Sequence, residues 1–191
     1  MKNILIVVLS FLSLILNGQN NMNEELNKLF LDLDLASSPK NMVNKSPLKF
    51  EHIVRQGISW GNAGGNVSDF VARFDKNPLI ESSIKEGQIS IIQKDEDIQS
   101  GNFSITERVW FYNKEDMINE YHKLIESFEK LGSRVKNSTI QNEDFDTKYE
   151  NTEILMETDS KKSTLTIGYH LPPREEEDKL YFLAFVYTNH N

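Results

Sequence analysis

The chain contains no cysteine. That absence excludes disulfide bonds, thiol catalysis, Cys-based zinc sites and redox exchange together. Small exported domains often lean on disulfides, so this fold must be held by packing alone. Histidine is scarce and scattered: His52, His122, His170 and His190 form no HxH, HxxxH or HExxH pair. A zinc site built from one strand or one helix face needs such spacing, and no metal is expected. No Gly-x-Ser-x-Gly elbow is present to expose a nucleophile. A Ser–His–Asp set could still assemble from distant residues, but nothing local supports it. Paired carboxylates carry no signal either, because 29 Asp and Glu offer too many pairs.

Basic residues are also outnumbered, at 21 Lys and Arg, and the formal net charge is −8. Nucleic-acid binding draws most of its affinity from phosphate neutralisation, so broad nucleic-acid binding is excluded. Docking on an anionic membrane surface is excluded on the same ground. The one long apolar run is at the start. "MKNILIVVLSFLSLILNG" has Lys2 as a positive flank, an apolar stretch from Ile4 to Leu16, and Gly18 as a small residue for cleavage. Thirteen residues, eleven of them apolar, are too few to cross about 30 Å of hydrocarbon. Residues 1–18 therefore read as a secretory signal peptide, with Gln19 first in the mature chain and no membrane insertion after cleavage. The expected location is the periplasm or the medium.

What is present is enough for a packed core: 191 residues, 38% of them hydrophobic, with 11 Phe, 6 Tyr and 2 Trp. Residues 19–191 read as a single α+β domain, with 19–85 able to form an N-terminal subdomain. Apolar positions at helical spacing predict two short helices, about 23–35 and 39–45, the second started by Ser38–Pro39. "LKFEHIV" and "VSDFVARFD" read as two weaker strands. From residue 88 the pattern sharpens into β-β-α-β-β-β. "QISIIQ" and "FSITERVWFY" alternate as strands, the second with Ile105, Val109 and Phe111 against Thr106, Arg108, Trp110 and Tyr112. A long helix follows. Asn113 caps it, Glu115 and Asp116 suit its positive end, Gly132 ends it, and Met117, Tyr121, Leu124, Ile125, Phe128 and Leu131 line one face. "TEILMET", "STLTIGYHL" and "KLYFLAFVYT" complete the strands, with "DSKK" as a tight turn and "PPREEED" as a charged loop. The near-continuous apolar run Leu180–Val186 predicts a central strand covered on both faces. The fold class that results is an antiparallel sheet with one long amphipathic helix on a face.

Four surfaces are candidates for function. "GISWGNAGGN", residues 57–66, concentrates glycines beside Trp60. It is not a phosphate loop, since Asn66 stands where the lysine would, and Gly61, Gly64 and Gly65 miss the dinucleotide spacing. It reads as a mobile connector, or as a contact loop carrying Ser59, Trp60 and Asn62. Arg108, Trp110 and Tyr112 would share one strand face, the composition of an interface anchor unless N-terminal elements cover it. Residues 141–160 carry seven acids and one Lys. Glu143, Asp144 and Asp146 lie there, with Glu150 close by; they lack the glycine and spacing of a calcium loop and read as a solvated face or a surface for a basic partner. A second acidic cluster is "EEED" at 175–178. Asn-x-Ser/Thr sequons such as those at Asn66, Asn102 and Asn137 matter only in a eukaryotic secretory route. No cofactor is implied. The reading is an exported, non-enzymatic module that binds a protein, an inhibitor or immunity protein being one version. A hydrolase with a site assembled from distant residues, or a small-ligand or carbohydrate carrier, are the alternatives.

Overall fold

The structure, a computed structural model, describes residues 21–60, 63–142, 147–158, 161–171 and 181–190. Eight antiparallel strands form one sheet: β1 Glu51–Trp60, β2 Ala63–Phe74, β3 Ile84–Lys94, β4 Phe103–Phe111, β5 Arg134–Asn142, β6 Thr147–Thr158, β7 Lys161–Leu171 and β8 Tyr181–His190. Three helices accompany them: α1 over residues 21–29, α2 Pro39–Lys45 and α3 Lys114–Lys130. The spatial order is β1-β2-β3-β4-β8-β7-β6-β5. Two four-strand meanders are thus joined by α3, which carries the chain from the middle of the sheet to its far edge. The second meander then returns until β8 lies beside β4. This is the α+β layer architecture that the periodicity predicts.

Period-two alternation decides which face is buried. In β4, residues 103, 105, 107, 109 and 111 are buried while 104, 106, 108 and 110 are not. The register carries that inner face across Ile89 and Ile91 of β3, Leu183 and Phe185 of β8, and Leu165 and Ile167 of β7. Onto it α3 lays Met117, Tyr121, Leu124 and Phe128, with Ile125 at the border. Asn113 Oδ1 accepts from the Asp116 amide at 2.8 Å, as an N-cap should. Gly132 closes the other end at φ +91°, a left-handed conformation that disfavours any Cβ. The N-terminal helices join the same layer. Leu26, Leu29, Phe30, Leu33 and Met42 belong to one contiguous core with the sheet, and Phe30 meets Tyr187 at 5.9 Å between ring centroids.

Several sequence-based expectations need correction. α1 stops at residue 29, not 35, because Leu31 and Asp32 take φ values of 58° and 59°. Leu33 reaches the core from this turn instead of from a helix face. The Gly-rich stretch is mostly strand: Ile58, Ser59 and Trp60 pair with Gly65, Gly64 and Ala63, beyond a bulge between Arg55 and Ile58. The second half contains a strand more than the alternation indicates, since residues 134–142 form β5. β8 is central, yet only its inner face is fully covered; Phe182, Ala184 and Val186 are half-buried on the other. The "PPREEED" loop and the "EEED" cluster lie outside the described residues, and so does part of the "DSKK" turn.

Two buried polar clamps fix the layer to the sheet. Asn77, in the β2–β3 connection, donates from Nδ2 to Leu29 O at 2.8 Å and to Glu107 Oε1 at 2.7 Å, while its Oδ1 accepts from the Leu79 amide at 2.9 Å. Glu107 is fully buried in β4, and desolvation holds its carboxyl well above the usual carboxylate range, with the Asn77 bond opposing. Glu120 of α3 is equally buried, and its Oε1 accepts from Ser82 N at 2.9 Å and Ser82 Oγ at 2.6 Å.

Candidate functional site

Because α1, α2 and α3 all pack on one side, the opposite side of the sheet has no helical cover among the described residues. It is closed only toward β2, where the 3-10 turn Asp95–Asp97 packs and Val67 and Asp69 are buried. Asp69 Oδ2 takes a 2.9 Å ion pair from Arg55 there. From β3 to β5 the face is open and half-buried, as expected of a sheet covered by its own cross-strand neighbours alone.

The register writes this face as rows running across the strands. One row places Glu86, Trp110, Phe182 and His170 side by side on β3, β4, β8 and β7. Trp110 and Phe182 lie 6.1 Å apart and tilted by 48°; Phe182 and His170 stack at 5.2 Å and 19°. Three rings on three consecutive strands therefore make a continuous platform. Burial lowers the pKa of His170, which favours a neutral ring and an apolar surface near pH 7.

The next row runs Gln88, Arg108, Ala184, Gly168 and Asn151. Small residues at Ala184 and Gly168 leave a floor beside the platform. A Cβ at Gly168 would overlap Asn151 Oδ1, so the Asn151 amide leans over that glycine. Arg108 is exposed, and its guanidinium has no hydrogen-bond or ion-pair partner among the described residues. The contrast with its neighbours is informative. Arg73 is tied to Glu86 at 3.1 Å and Arg55 to Asp69, whereas Arg108 has no such partner among the described residues.

Arg108 and Trp110, expected to share a face, do so. Tyr112 does not join them in the strand: β4 ends at Phe111, and Tyr112 is 66% exposed just before α3. Trp60 ends β1, far along the sheet order from β8, and its side chain lies outside the described residues. Asn62, Glu143, Asp144 and Asp146 lie outside them as well. Phe182 and His170 are the residues that sequence reasoning missed. Alternation alone put Phe182 opposite Leu183, but only the register reveals which strands adjoin β4.

The second cluster of polar chemistry is on the helix side. Tyr121 and Thr152 share a short hydroxyl contact, Thr152 Oγ1 donates to Asn137 Oδ1 at 3.0 Å, and the Tyr169 hydroxyl donates to Glu150. Burial and the adjoining Glu150 carboxylate push the Tyr169 pKa up, so the phenol stays protonated and serves as a structural donor. The histidines with described surroundings sit against rings: His52 on Phe70, His122 at the edge of Tyr121, His170 on Phe182. Among the described residues no group of three or more His, Asp or Glu is placed to hold a metal ion, and no helix is long and apolar enough to cross a membrane. Comparison with family models, with curated proteins and with solved structures finds no match.

Proposed function

We propose that this protein is an exported, non-enzymatic module that binds a protein partner on the open face of its sheet. The supporting observation is the row Trp110–Phe182–His170 with Arg108 beside it, on a broad face that no helix covers among the described residues. Tryptophan, tyrosine and arginine dominate interface hot spots because they bring large rigid area and oriented donors. An aromatic platform that merely filled a core would lie between the sheet and α3, where Phe111 and Phe128 do. Residues 1–18 supply the export step in this reading.

Two measurements test it. The mature N-terminus, read by mass spectrometry, should be Gln19; an intact Met1 in the exported fraction would remove the export step. Affinity capture from the envelope and the medium at several salt concentrations should recover a stoichiometric protein with the wild type and lose it with Trp110→Ala. Recovery that is indifferent to Trp110→Ala would move the interface elsewhere.

A further inference from the structure

On the β4–β5 side the sign of the open face differs from that of the whole chain. The chain carries −8, and part of its acidity is concentrated in residues 141–160. The described open face instead presents Arg55, Arg73, Lys94, Arg108, Arg134 and Lys136. Against these stand Glu51, Asp69, Glu86 and Glu153, and the acidic turn Asp95–Asp97, whose Glu96 pairs with Lys94 at 3.5 Å. Asp69 and Glu86 are already neutralised by Arg55 and Arg73, toward the β1–β3 side. On the β4–β5 side the free cations are in excess. Arg108 is the central one, with aromatic rings on one flank, the Ala184–Gly168 floor next to it and the Asn151 amide beyond.

A guanidinium with open donors beside a flat apolar platform is a receptor for a planar anion attached to an apolar body. Five N–H donors in a fixed fork match a carboxylate bidentately, and the rings desolvate that pair when a partner side chain covers them. We infer that the partner docks an acidic residue on Arg108 and lays a neighbouring apolar or aromatic side chain on the Trp110–Phe182 rings. This rests on the reading of the protein as a protein-binding module and specifies its partner: an acidic-plus-apolar protein surface. The basic partner expected from Glu143, Asp144 and Asp146 has no described geometry behind it. Arg134 and Lys136 on the edge strand β5 extend the cationic field and speed the approach of an acidic surface.

The test selects a random 12-residue peptide display library on the full mature chain, with Arg108→Gln as the counter-target. Selected peptides should carry Asp or Glu within one or two residues of an aromatic or large aliphatic residue. Their binding should fall at least ten-fold with Arg108→Gln and with the peptide's own acid changed to its amide. It should also weaken as salt rises from 50 to 300 mM. Chemical-shift changes on peptide addition should centre on the Trp110 indole and the Arg108 side chain, and Arg73→Gln should leave binding unchanged. Acid-free peptides that bind equally well to Arg108→Gln but are lost with Trp110→Ala would overturn the charge inference while leaving a protein-binding face. Failure to enrich any peptide, together with binding of polygalacturonate or alginate that Arg108→Gln abolishes, would overturn the protein reading itself. Binding of neither peptide nor polysaccharide would overturn both.

Discussion

Glu107 shows how one residue can be misread by chemistry and correctly placed by geometry. Alternation in "FSITERVWF" puts it inward with Ile105 and Val109, yet a charged residue is ordinarily assigned to the wet face. The structure follows the alternation. The carboxyl stays in the core by remaining protonated, with Asn77 as donor and Oε2 without a partner. Its folded-state pKa is raised above the ordinary 4.5, while the unfolded chain releases the proton near that ordinary value. Below about pH 4.5 both states hold the proton and the group costs nothing further. As pH rises from there toward the folded pKa, the unfolded state alone is deprotonated. Stability then falls by about 1.4 kcal/mol per pH unit. Glu107→Gln, which keeps the acceptor for Asn77 and cannot ionise, should flatten this limb. Urea titrations stepped upward from pH 5 should show the variant gaining on the wild type until the folded-state pKa is passed; parallel declines would place the titrating group elsewhere. Asp32 supplies a second residue-scale test. It is exposed at φ 59°, where a side chain costs roughly 1–2 kcal/mol and β-branched residues cost most. Asp32→Gly should match or exceed the wild-type thermal midpoint and Asp32→Val should lower it. Equal midpoints for Gly and Val would show that this turn relaxes in solution.

At the scale of elements, α3 was legible because three signals agree: an Asn cap, apolar residues every three or four positions, and a terminal glycine. The strands β3, β4, β6 and β7 were legible from alternation, and β8 from its near-continuous apolar run. β5 was not. Among the residues of "RVKNSTIQN" whose side chains are described, only Val135 packs against the core, and residues 136–139 are exposed. An edge strand needs little apolar surface, because pairing with β6 rather than burial holds it. The Gly-rich hairpin was hidden for a related reason, since glycine weakens the strand signal without preventing pairing. α3 also carries a core side chain whose contribution can be tested. Phe128 is 1% exposed, and Phe128→Ala should cost about 3–5 kcal/mol, a large share of the roughly 5–15 kcal/mol of a domain. For a chain of this size that lowers the thermal midpoint by roughly 6–20 °C. Asn113→Ala, removing one cap bond, should cost only about 1 kcal/mol. Comparable losses for the two would mean that α3 is held by its end and not by its face.

At the scale of the whole molecule, the sequence contains both layers but not their arrangement. Which strands adjoin depends on α3 crossing to the far edge, so that β4 meets β8 although some 70 residues separate them. Without that pairing Trp110 has no Phe182, and the aromatic row does not exist. The candidate site was therefore half visible: Arg108 and Trp110 from one strand, Phe182 and His170 only from the fold. The functional account stands on the claim that this row belongs to an open face and not to a core. Thermal unfolding of the double variant Arg108→Ala/Trp110→Ala, run beside Phe128→Ala and joined to a binding isotherm for a selected acidic peptide, addresses that claim directly. The account predicts a midpoint within about 2–4 °C of wild type, since losing a partly exposed ring pair costs about 1 kcal/mol, and loss of measurable peptide binding. A double variant that melts as early as Phe128→Ala, or that binds the peptide as the wild type does, would contradict it.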